Sequence, residues 1–189
     1  MAREVDPKQT RKALRIIRKL AAKGGTPETI DPETGEAKSV AVFGNNVWGL
    51  AVDTDGQSLL AASVGDGAQV ARIHDGQIET WAREEVMGAR GIAVLPGGRV
   101  LVAVSHAGHS MVEIDRKSHR PTRLATLSDE PGGILGMLAA ESDGNLIVGM
   151  YLSDAGHVYR FDVAQRKFAL LSSQGHLAHC GGVAVVPGG

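Results

Sequence analysis

Four stretches of the chain repeat one short motif. They are Trp48-Gly49-Leu50-Ala51-Val52, Arg90-Gly91-Ile92-Ala93-Val94, Leu135-Gly136-Met137-Leu138-Ala139 and Gly181-Gly182-Val183-Ala184-Val185. The shared glycines are spaced by 42, 45 and 46 residues. A period of that size constrains the fold more than any other feature. Each repeat is one supersecondary unit that buries its apolar faces only against its neighbours.

The content of each repeat identifies the unit. A short apolar strand follows the glycine, as at Leu50 to Val52 and Ile92 to Val94. A Gly-containing turn leads to a second strand, at Ser58 to Ser63, Val100 to Ser105 and Leu146 to Met150. Third strands are expected at Gln69 to Ile73, Met111 to Ile114 and His157 to Phe161, and fourth strands at Gln77 to Trp81, Arg123 to Leu127 and Phe168 to Leu171. Alternating side chains bounded by Gly, Asp and Pro are a strand signature. Four strands per repeat predict an all-β propeller of antiparallel blades, with about three complete blades and flanking strands. Strands are lettered A to D from the axis outward. Each glycine lets the backbones of crowded inner strands approach closely. Ser39 to Phe43 is expected to be a further D strand, and the Gly182 stretch a final A strand.

Before the repeats, Asp6-Pro7 suits a helix start, and Leu14, Ile17, Leu20 and Ala21 recur at helical spacing. Gly24-Gly25 suits its end. The chain thus divides into a basic amphipathic helical arm (1–25), a linker (26–37) and the partial propeller (38–189). Arg11, Arg15, Arg18 and Lys19 make the arm a candidate partner-binding element. The formal net charge is only -1, which gives no general drive toward nucleic acid. No apolar run is long enough to span a membrane as a helix. A single cysteine, Cys180, forbids an intrachain disulfide, so a cytoplasmic setting is the expectation.

The motif Gly-Ile-Ala-Val-x-x-x-Gly, followed by a Val/Leu/Ile-rich strand, a polar loop and a strand ending Ile/Phe-Asp, resembles NHL-type repeats. It is also similar to the wider propeller group of gluconolactonase/senescence-marker proteins and streptogramin lyases, and covers about residues 38 to 189. In the gluconolactonases that resemblance implies a divalent cation on the axis, commonly with an Asn before the strand-A glycine. Here that position holds Trp48, Arg90, Leu135 and Gly181, so the lactonase site does not carry over.

Blade geometry sorts the loops onto two ends. The D–A and B–C loops share one end, which collects five of the seven histidines. Candidate catalytic residues are His106, His109, His157 and His179, able in principle to act as acid or base near neutral pH. Candidate metal ligands are Asp66, His106, His109, Asp154, His157, His176 and His179. Trp48 and Arg90, at the same end, are candidate partner-binding residues. Cys180 reads as a small apolar residue rather than a nucleophile, and the Asp53, Asp55 and Asp143 turns as ordinary turn chemistry.

Three whole blades do not readily close a ring, since propellers typically have about four to eight. The resulting expectation is a non-catalytic scaffold for protein–protein binding or assembly. It would lack a cofactor and act as a homo-oligomer or with a protein partner. The alternative is an enzyme, a lactonase-like hydrolase or a lyase, using the histidine-bearing end with or without a divalent metal.

Overall fold

A computed structural model describes residues 28–31, 34–41, 43, 46–65, 67–106, 108–127, 133–151, 157–172, 180 and 182–185. The expected helix and its basic residues Arg11, Arg15, Arg18 and Lys19 lie outside them. The described residues are all-β apart from one 3-10 turn at Glu84–Val86.

Twelve strands form three antiparallel four-stranded sheets, each in plain sequential order. The first blade is β3 (Asn46–Val52), β4 (Leu59–Val64), β5 (Val70–His74) and β6 (Gln77–Ala82). The second is β7 (Ala89–Val94), β8 (Val100–Val104), β9 (Ser110–Ile114) and β10 (Pro121–Thr126). The third is β11 (Ile134–Ala140), β12 (Leu146–Tyr151), β13 (Val158–Asp162) and β14 (Lys167–Ser172). The remaining pair, β1 (Glu28–Ile30) and β2 (Ala37–Ser39), forms a small hairpin across the stretch read from sequence as a linker.

The inner strands β3, β7 and β11 lie side by side through their glycines. A Cβ on Gly49 would overlap the backbone carbonyl of Arg90, and one on Gly91 would overlap that of Gly136. A side chain at either position would push two blades apart, so close backbone approach explains why glycine recurs there.

Every blade interior is a layer between two sheets. Call the face turned toward the next blade leading and the other trailing. The leading face of the first blade (Leu60, Ala62, Val70, Trp81) packs on the trailing face of the second (Val100, Val102, Val112, Ile114). The leading face of the second (Leu101, Ala103, Met111, Leu124) packs on Leu146, Val148, Tyr159 and Phe161 of the third. Strands sandwiched on both faces are apolar throughout, which is why Val100–Val104 is buried at every residue.

Past Ser39, the last residue of β2, the described residues of the two expected flanking segments are not in strands. Val40, Ala41 and Phe43 leave the sheet after β2, yet Ala41 and Phe43 are buried against Leu59, Ala61 and Ile73 on the trailing face of the first blade. The described residues 182–185 are also outside any strand. Cys180 and Val183 nevertheless rest on Gly149 of β12, the side from which a following inner strand would approach. A strand needs a ladder partner, and neither segment pairs with one among the described residues.

Candidate functional site

The loop end is built by bulges. The register of β3 slips between Val47 and Gly49, and that of β7 between Ala89 and Gly91. The slipped residues are Trp48 and Arg90, the two partner-binding candidates. A bulge leaves one residue unpaired and re-aims its side chain. The Arg90 guanidinium lies over the Trp48 indole, 4.2 Å from the ring centroid. Tyr151, the last residue of β12, meets Trp48 edge-on, with centroids 5.6 Å apart and planes at 66°. Three blades thus each contribute one side chain to a single cluster. Burial pushes the Arg90 pKa down, partly offset by the neighbouring Tyr151.

The described histidines at this end, His106, His109 and His157, do not converge. His109 is buried, and its Nε2 lies 2.8 Å from the carbonyl oxygen of Gly133, to which it donates, linking the second blade to the strand that opens the third. Beside it, Ser105 Oγ donates to the carbonyl of Leu135 at 2.9 Å. His109 therefore reads as an inter-blade tie. His106 is exposed and sits over Gly88. His157 stacks nearly parallel on Tyr159 of its own blade, with centroids 6.1 Å apart. Among the described residues no three of His, Cys, Asp and Glu gather as a metal requires. Asp66, Asp154, His176 and His179 lie outside them. Cys180 is a half-buried free thiol.

The opposite end holds a network that sequence reading passed over as turn chemistry. Asp53 closes the A–B turn and is buried, and two arginines reach it: Arg72 of its own blade and Arg116 from the C–D turn of the next. Burial raises the Asp53 pKa, but hydrogen bonds from Arg116 and the Thr54 amide outweigh it and hold the carboxyl below its ordinary value. Asp55 is held far lower, by the Ser58 hydroxyl and amide, the Gln57 amide and Arg72. Arg160 repeats the Arg72 arrangement in the third blade, bridging Glu141 and Asp143. In the second blade the charges are exchanged, with Arg99 donating to Glu113 at 2.7 Å. A cleft of about 280 Å³ opens beside Asp53, lined by Arg72, Arg116, Glu79, Trp81 and His119. His119 stacks on Trp81 at 4.8 Å. Its charged groups already satisfy one another, so it ties blades together rather than presenting free chemistry. The missed signal was an arginine at the third residue of strand C, facing an acid pair in the A–B turn.

No family model matches the chain, and no curated protein matches it. Solved structures do. The chain superposes on an auxiliary nutrient binding protein from Bacteroides thetaiotaomicron (TM-score 0.64, 14% identity), covering 82% of this chain and 39% of that one. It superposes on a catalytically inactive virginiamycin B lyase from Staphylococcus aureus crystallised with quinupristin (TM-score 0.63, 13% identity), covering 80% and 50%. A third is TolB from Acinetobacter baumannii (TM-score 0.61, 15% identity), covering 80% and 39%. The chain spans half or less of the length of these proteins. At such identities the likeness defines the fold alone: an array of β-propeller type.

Proposed function

We propose that this chain is a non-catalytic scaffold of NHL-like blades that assembles with a second copy of itself through the leading face of its third blade. One set of equivalent residues carries the reading. Each outer strand bulges at the residue facing the next blade: Trp81, Leu124 and Leu171. Trp81 is 8% exposed and Leu124 9%, whereas Leu171 is 54% exposed. Ile147 and Val158 are likewise only half-buried, although their counterparts Leu60, Leu101, Val70 and Met111 are fully covered. The third blade thus offers the surface that the other two use to hold a neighbour. Two-fold pairing of one self-complementary face is the commonest form of such assembly. The basic residues Arg11, Arg15, Arg18 and Lys19 serve this reading as further docking contacts.

Light scattering on the full chain tests it. The wild type should run as a dimer or larger closed assembly at micromolar concentration. Leu171→Glu, which places a charge in the proposed interface, should run as a monomer with an unchanged far-ultraviolet spectrum. A wild type that stays monomeric at all concentrations, and matches Leu171→Glu, overturns the proposal. A second reading, a lyase acting from the histidine-bearing end, draws on the fold likeness to virginiamycin B lyase.

A further inference from the structure

Arg90 is the exception among the packed arginines. Arg72, Arg99, Arg116 and Arg160 each face at least one carboxylate. Arg90 has no ion pair among the described residues. Its Nε is buried and has no hydrogen-bond partner among the described residues. Its neighbours are aromatic: Trp48 under the guanidinium plane and Tyr151 against the edge of Trp48. Stacking on an indole is a weak attraction that does not replace the water or counter-ion a half-buried cation gives up. A guanidinium stacked on one face still presents its donor edge, a planar fork that matches a carboxylate in bidentate geometry.

Two bulges are needed to make this arrangement. Without the slips in β3 and β7, Trp48 and Arg90 would follow the strand alternation. In the third blade the slip comes later, between Leu135 and Leu138, and Leu135, which precedes Gly136 and keeps its ladder partner Met150, is fully buried in the core. The first two blades instead spend this position on a large aromatic and a cation, turned toward one another across the blade boundary.

We propose that Arg90, Trp48 and Tyr151 form a binding site at the loop end for a carboxylate carried on a flat apolar group. Arg90 grips the carboxylate by its donor edge, and the aromatic pair packs against the apolar body. A free aromatic acid and an acidic side chain flanked by an aromatic residue present the same chemistry, and the two are separated by the probe used. The site lies at the loop end and shares no residue with the assembly surface around Leu171, so each stands or falls alone.

The test is titration of the full chain with sodium benzoate and with the capped dipeptide acetyl-Glu-Phe-amide. It is followed by Trp48 fluorescence and by calorimetry. Trp81, buried at the opposite end, supplies a constant background. At least one probe should bind saturably, with a dissociation constant on the order of 1 mM or tighter. Benzyl alcohol, which lacks the charge, should bind about tenfold or more weakly. Arg90→Met, which keeps the packing volume, should abolish the signal, and Arg90→Lys should retain part of it because the charge survives without the fork. Thermal melts of both variants establish that they are folded. Tighter binding of benzoate assigns the site to small acids, and tighter binding of the dipeptide assigns it to a protein ligand. Failure of both probes to saturate below about 20 mM, or equal binding by wild type and Arg90→Met, overturns the proposal.

Discussion

The first and third blades each have one face without a neighbouring blade, and the chain treats the two differently. On the trailing face of the first blade, Leu59, Ala61 and Ile73 are covered by Ala41 and Phe43, which belong to the segment leading into the array. On the leading face of the third, Cys180 and Val183 reach Gly149 at the inner edge, while Leu171 at the outer edge stays exposed. One face is closed by the chain's own residues, and among the described residues the other is closed only near the axis. An isolated sheet face need not be sealed by another whole blade: two side chains from an irregular segment suffice to dry it. The exposed Leu171 is the feature on which the proposed self-association rests.

The contrast is open to measurement. The largest effect is expected from glycine substitutions. Gly91→Ala forces a methyl into the Gly136 carbonyl, a backbone group that cannot rotate away, and should abolish cooperative unfolding or cost about 3 kcal/mol or more. Gly182→Ala, which meets nothing within 4 Å, should melt like the wild type. Equal effects at the two glycines would erase the distinction between the closed boundary and the open end.

A smaller effect is expected at equivalent aliphatic positions. Leu101→Ala removes a fully buried side chain between the second and third blades and should cost about 2–5 kcal/mol in denaturant unfolding. Ile147→Ala, at the matching place on the third blade, should cost clearly less under monomeric conditions. The gap should narrow as concentration rises, if association buries that face.

The smallest effect belongs to the charge network, where the boundary between the first two blades has a tie that the third blade lacks. Asp53 receives arginines from two blades, whereas Asp143 pairs with Arg160 inside one sheet. Asp53→Asn should cost about 1–3 kcal/mol, since it leaves two half-buried guanidiniums short of an acceptor. Asp143→Asn should cost clearly less than Asp53→Asn, because the pair it breaks is largely exposed to solvent. The carboxyls of Asp53, Asp55, Glu113 and Asp143 all lie below their ordinary values in the folded chain. They release protons more readily folded than unfolded, so their stabilisation is complete above about pH 5. It is lost as pH falls through the folded values. Melting temperature should therefore drop on acidification below about pH 5, with a shallower slope in Asp53→Asn. A slope that Asp53→Asn leaves unaltered would place the acid sensitivity elsewhere.

Much of the architecture was legible because it repeats. The glycine register located every inner strand, and Val100–Val104 announced a doubly covered strand by being apolar throughout. The strands expected at Ser39–Phe43 and at Gly182 do not form at the described residues past Ser39 for one reason: their residues suit a strand, but strand formation needs a partner ladder, which a local pattern does not contain. Site residues were legible by end and not by role. The sorting of loops put Trp48, Arg90, His106 and His109 at one end, yet nothing local marks His109 as a donor to Gly133 across a blade boundary. The Arg72 and Arg160 pairs were readable in principle. Each faces an acid pair 17 and 19 residues upstream, and only the exchanged Arg99–Glu113 pair in the second blade hides the pattern.

The sequence by itself determined the period, the four-stranded unit and the glycines that allow inner strands to touch, because these depend on backbone sterics and side-chain alternation within a few residues. Only the tertiary structure decided that Trp48, Arg90 and Tyr151 meet, that Asp53 joins two blades and that Leu171 is left uncovered. Those outcomes depend on bulges and on which sheet lies opposite which, distances set by packing between segments tens of residues apart.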